Sequence, residues 1–420
     1  MRTRRIGKIV AGVLAVGLFA AACSSSTDSS TSTGASTQPS STAPQAVGLN
    51  EGAPALVQTL TDQLDSHVYL AAIAISTGLS AGLDSPEFTA AATTLDTNSQ
   101  DLAASIASVY GADAGDQFLA LWRKHIGFFV DYTAAKAGGD TKAADKALSA
   151  LDNYRQDFGA FIDSATGGKL PADAVAESLQ MHVNSLVSAI DAAVAGDPAV
   201  FDLIYEAATM HMPGTASALA GGISAQMPDE FPGSVESPGS VLQQTLTNQL
   251  DSHVYLAAIA ISTGLSAGLD SPEFTAAATT LDTNSQDLAA SIASVYGADA
   301  GDQFLALWRK HIGFFVDYTA AKAGGDTKAA DKALSALDNY RQDFGAFIDS
   351  ATGGKLPADA VAESLQMHVN SLVSAIDAAV AGDPAVFDLI YEAATMHMPG
   401  TASALAGGIS AQMPDEFPTT

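Results

Sequence analysis

The segment QLDSHVYLAAIAISTGLSAGLDSPEF begins at Gln63 and begins again at Gln249, an offset of 186 residues. Residues 55–231 align with residues 241–417 with three differences, Ala55/Val241, Val57/Gln243 and Asp62/Asn248. Internal repetition at this length constrains the fold more than any other feature of the chain. One copy, about 175 residues, is large enough to enclose its own core. Whatever one copy folds into, the other folds into as well, and any site occurs twice. The residues between the copies, PGSVESPGS at 232–240, read as a short linker.

Within a copy the apolar spacing is three and four throughout, and no run of alternating β-branched residues interrupts it. Ser85-Pro86-Glu87 supplies a cap, a proline at the first helical position and an acid near the positive end of the helix dipole. Asp140 and Asp197-Pro198 repeat that logic, while Gly111, Gly138-Gly139, Gly167-Gly168 and Gly196 mark helix ends. Helices are expected near 57–80, 86–110 (with a break around 96–98), 114–137, 141–164, 171–195 and 198–212. A further segment, 214–226, follows Pro213. Short connections make neighbours antiparallel. The expected fold is all-α: two tandem, near-identical antiparallel helical bundles.

The N-terminus has a different composition. Arg2, Arg4, Arg5 and Lys8 precede an apolar stretch, Ile9 to Ala22, that ends in small residues before Cys23. At roughly 14 residues this stretch is too short to span a bilayer, which needs about 20, and it reads as an export signal over 1–22. Cys23 is the only cysteine, so no intrachain disulfide can form. Ala21-Ala22-Cys23 resembles the lipobox of bacterial lipoproteins, with Ala20 where Leu is usual. That resemblance implies lipidation of Cys23 and attachment to the outer face of the cell membrane. Residues 23–50 are rich in Ser, Thr, Pro and Gly and read as a disordered tether.

All 46 acidic residues lie beyond the leader, which takes four of the 18 Lys and Arg. A surface so acidic repels nucleic acid, so none is expected as a partner. No serine nucleophile elbow, phosphate loop or Cys pair is present, so catalysis has no sequence signal.

The eight histidines are distributed four to a copy. His67, His125, His182 and His211 fall on different expected helices, each on the apolar stripe, and their counterparts are His253, His311, His368 and His397. A buried imidazole without partners costs about 1–3 kcal/mol per unsatisfied group. Four in one bundle therefore point either to a compensating polar network or to a bound metal. No acidic residue stands three before a histidine, or three or four after one, which counts against a di-iron Glu-x-x-His site. Imidazole sites suit copper or zinc, and thioether neighbours favour copper. Met210 and Met212 flank His211, and Met396 and Met398 flank His397. Successive helical residues point about 100° apart, so at most one Met of each pair can share an ion with its histidine. Haem held by His and Met is a further alternative, without covalent attachment because no Cys-x-x-Cys-His is present.

The stretches LWRKHIGFFVDYTAAKAGGD, LDTNSQDLAASIASVYG and EAATMHM resemble a family of uncharacterised bacterial helical-bundle proteins, ferritin-like in type, many of them exported. The resemblance implies the bundle fold and singles out His67, His125 and His182, with His253, His311 and His368 in the second copy. The expected function is a lipid-anchored, extracytoplasmic metal-binding protein, copper before zinc, that sequesters or relays an ion. An envelope scaffold with core histidines is the alternative.

Overall fold

The computed structural model describes residues 48–419; the leader, Cys23 and the tether as far as residue 47 lie outside them. In the first copy the helices are α1 (Gly52–Ala81), α2 (Pro86–Tyr110), α3 (Ala112–Gly138), α4 (Thr141–Ala165), α5 (Ala172–Ala195) and α6 (Val200–Glu206). One π-helical turn, Ala207–His211, joins α6 to α7 (Met212–Gln226). The second copy repeats the order as α8 (Pro238–Ala267), α9 (Pro272–Tyr296), α10 (Ala298–Gly324), α11 (Thr327–Ala351), α12 (Ala358–Ala381) and α13 (Val386–Gln412). No strand occurs among the described residues.

Two of the caps are those the sequence spells out; at the third, Asp197 accepts from the amide of Ala199 and α6 begins only at Val200, without a side-chain cap. Ser85 Oγ accepts from the amide of Phe88 at 3.0 Å, and Asp140 Oδ1 accepts from that of Ala143 at 2.9 Å. Gly139, at φ 70°, turns the chain between α3 and α4 in the left-handed region that a side chain disfavours. The break expected at 96–98 does not form. Asp96 pairs with Arg123, Thr97 donates to the carbonyl of Thr93, and Asn98 donates to that of Gln63 at 2.9 Å. Asp96 and Asn98 thus find partners on other helices, and Thr97 bonds back to the carbonyl four residues earlier, which a helix accommodates. At Pro213 the helix continues after the π turn, and in the second copy α13 runs through the equivalent Pro399 without one.

Consecutive helices pack side by side, and α7 closes the ring against α1. In an up-and-down order the odd helices run the same way, and α1, α3 and α5 also touch one another across the middle. Helix α1 is the most deeply buried of its bundle, Leu60, Leu64, Val68 and Leu70 included, because the second copy covers its outer side. Gly159 lets α4 approach the start of α5, where a Cβ would sit 2.4 Å from the carbonyl oxygen of Ala172.

The described residues form one compact unit, with α1 of the first copy packed on α8 of the second. Tyr69 and Tyr255 stack across this contact, centroids 5.1 Å apart. Gln58 Nε2 donates to the carbonyl of Pro399 and Gln244 Nε2 to that of Pro213, related contacts that give the pairing an approximate two-fold symmetry. Leu49, expected in the tether, is buried and meets the start of α8 at Gly239, so the fold begins earlier than the composition implied.

Candidate metal centre

His67 is the sixteenth of the 30 residues of α1, His125 the fourteenth of 27 in α3 and His182 the eleventh of 24 in α5. Near-equal depth on three parallel, mutually touching helices brings the rings together. One ring nitrogen of each lies within 4.8 Å of the others, and His253, His311 and His368 form the same group in the second copy. Exposure is 1% for His67, 2% for His125 and 5% for His182. No carboxylate joins either group among the described residues.

His67 Nε2 and His125 Nε2 are 3.2 Å apart, as are those of His253 and His311. Two nitrogens on one tetrahedral ion with bonds of about 2.0–2.1 Å stand about 3.3 Å apart, so this pair already has the spacing of two ligands. His182, with its ring centroid 6.2 Å from that of His67, would need to move inward by roughly an ångström to share the ion. The same 3.2 Å contact also permits one Nε2–H to donate to the other ring. The Nδ1 atoms of all six rings are buried without a hydrogen-bond partner.

An aromatic cage surrounds the triad. Trp122 lies 4.8 Å from His67 and 4.5 Å from His125, and Tyr154 stacks on His125 at 5.0 Å. Sequence reasoning passed over both, although Trp122, at i−3 from His125, was there to be read. The chain's two tryptophans, Trp122 and Trp308, each sit at a triad.

Burial in this cage disfavours the charged imidazole. Desolvation, and then His182, lower His67 to about 3, while desolvation and His211 lower His182 to about 4. Desolvation drives His125 well below the ordinary range, helped by both neighbours and weakly opposed by the Trp122 backbone. In the second copy His253 falls to about 3, His368 to about 4, and His311 well below. The rings are therefore neutral at physiological pH, which is the protonation state that ligates metals.

The structure brings three of the four expected histidines together in each copy. His211 lies near enough to His182 to lower its pKa but outside the triad, and His397 stands likewise to His368. The Met residues are not gathered in. Met210 is 70% exposed and Met396 69%, whereas Met212 and Met398 are buried in the hydrophobic core. Neighbouring helical residues point in different directions, which separates the members of the Met-His-Met run. Cys23 lies outside the described residues.

Comparison of the chain with protein-family models, with curated proteins and with solved structures finds no match. Function has to be argued from the chemistry of the site. The donor set is three neutral imidazoles, which fits a borderline or soft transition ion and not calcium or magnesium, which take oxygen ligands. A cavity beside each triad measures about 100 Å³ in the first copy and about 110 Å³ in the second. Pockets for organic ligands run to about 300–1,000 Å³, so the available space suits an ion better than a haem macrocycle.

Proposed function

We propose that each repeat binds one transition-metal ion through its histidine triad, copper in preference to zinc, and that the protein sequesters or relays the ion without chemistry of its own. His67, His125 and His182 would hold the first ion, and His253, His311 and His368 the second. The observation that carries this reading is the convergence of three buried, neutral imidazoles from three separate helices. Copper is placed before zinc because nitrogen-donor sites bind copper most tightly among the divalent first-row ions, and His211 or His397 lies close by to help transfer. The lipobox resemblance would place the protein on the outer face of the cell membrane, tethered through Cys23, as a member of the bundle family its motifs resemble.

The test is elemental analysis of protein exposed to copper or zinc, with tryptophan fluorescence as a second readout, because both tryptophans touch triads. One ion per repeat is expected, together with quenching by copper. The double variant His125→Gln, His311→Gln should lose both responses. Less than one ion per repeat in the unaltered chain, or full binding by the variant, would end the metal reading.

The His67–His125 contact also supports a second reading, in which the rings bond to each other inside a non-catalytic scaffold. In that case a chelator leaves the melting temperature of metal-exposed protein unchanged.

A further inference from the structure

The cavity beside each triad has a definite place in the bundle. Ala71, Phe129 and Leu186 all line it. Each follows its helix's triad histidine by four residues, and so stands on the same face one turn further along. Because α1, α3 and α5 run in one direction, that turn is displaced to the same side of the triad on all three helices. The cavity therefore occupies the layer directly next to the imidazoles, and His67 itself forms part of the wall. On α1 the wall beyond His67 is Ala71, Ala74 and Ile75, and the small side chains of the two alanines leave the space open.

The second bundle reproduces the arrangement with Ala257, Phe315, Leu372 and His253. At the rim, Arg123 grips Asp96 through two hydrogen bonds of 2.6 and 2.7 Å, and both residues are partly exposed. Apart from this ion pair and the histidine, the walls are apolar.

We propose that the triad's ion keeps an open coordination position on this side, and that the cavity delivers to it one small uncharged molecule of diatomic size. This rests on the metal reading above. Three protein ligands leave a fourth position free on a tetrahedral ion, and among the described residues no further His, Cys or carboxylate joins the triad. An apolar cavity of about 150 Å³ stays dry and admits benzene or xenon; one of about 100 Å³ accepts something smaller. Charged ligands are disfavoured by the apolar walls, and larger ones by the volume. With the rim acid and base already paired to each other, the cavity holds no free group to transform what enters.

The probe is carbon monoxide added to the full chain loaded with Cu(I) under inert gas, followed by its infrared stretching band. One carbon monoxide per copper is expected. Ala92 and Ala278 also line the cavities, on α2 and α9, away from the ligands. The double variant Ala92→Phe, Ala278→Phe should keep its copper and bind carbon monoxide at least tenfold more weakly. The milder Ala92→Leu, Ala278→Leu pair serves if the larger rings disturb folding. Copper retained without a carbon monoxide band, or a band indifferent to filling the cavity, overturns the open-position inference and leaves the metal reading standing. Failure to take up copper at all overturns both.

Discussion

The ring of His125 meets Trp122 at 4.5 Å, Tyr154 at 5.0 Å, His67 at 5.2 Å and Phe129 at 6.2 Å, yet its Nδ1 makes no well-formed hydrogen bond among the described residues, the Trp122 backbone interacting only weakly. A buried orphan of this kind costs about 1–3 kcal/mol, and each triad contains three. If these rings were retained for stability, replacing them by apolar groups of similar shape would weaken the protein. We expect the reverse for the metal-free chain. His67→Leu combined with His125→Phe removes both members of the closest pair and leaves neither nitrogen stranded. In chelator at pH 6 this variant should melt at or above the parent temperature, while its metal content falls by half. A clear drop in melting temperature would favour the scaffold reading. The inward direction of these histidines was legible from spacing, since each sat on an apolar stripe. The cage was not, because aromatic residues at helical spacing are ordinary core, and only packing shows which of them meet an imidazole.

Helix ends were largely legible because capping is local chemistry: Ser85 and Asp140 act through amides three residues away. The interruption expected at 96–98 failed for the opposite reason. The partners that hold Asp96 and Asn98 to a helical course, Arg123 and the Gln63 carbonyl, lie on other helices. The same dependence on neighbours governs the site, because the triad exists only if α5 sits at the right height. Gly159 sets that height through its approach to Ala172. Gly159→Ala should push α5 outward, cost about 1–3 kcal/mol by overpacking and weaken binding at the first triad only. Paired measurements of melting and metal stoichiometry check this, and Gly345→Ala should mirror it in the second copy, where the contact is again 2.4 Å.

At the scale of the molecule, the contact between copies gathers buried acids. Burial, and then Asp101, push Asp62 up to about 8. Desolvation raises Asp65 and Asp251 well above the carboxylate range, although Asn248 donates to Asp65 at 2.7 Å and opposes the rise there. Two of the three differences between the repeats, Val57/Gln243 and Asp62/Asn248, lie on this surface. Gln243 donates to Gln58 and Ser403, and Asn248 replaces what would be a fourth acid. Nothing in the linear sequence marked these positions as contacts, since pairing of the copies depends on surfaces far apart in the chain.

The signs of the shifts define a window of stability. Raised acids stabilise the fold below their unfolded value, about 3.9, and lose that contribution as pH rises toward 8. Lowered histidines stabilise it above about 6.5 and lose that contribution as pH falls toward 3–4. Seven lowered histidines, the six of the triads and His397, outweigh three acids on the acid side. The acids act alone from there up to the tyrosine range at about 10, so the metal-free protein should be most stable near pH 6–7. Asp62→Asn should place an amide beside Asp251, as Asn248 stands beside Asp65. It should raise stability at pH 8 by a few kcal/mol and flatten the alkaline limb of a melting-versus-pH curve.

Helix α1 carries His67 on the side facing its own bundle and Ser66 and Tyr69 toward the other copy, and α8 does the same with His253 and Tyr255. Each half thus shares its first rod with its twin. Beads joined by a flexible string would melt one at a time, whereas this architecture should absorb heat in a single calorimetric peak. An ion added to either half should shift that peak as a whole.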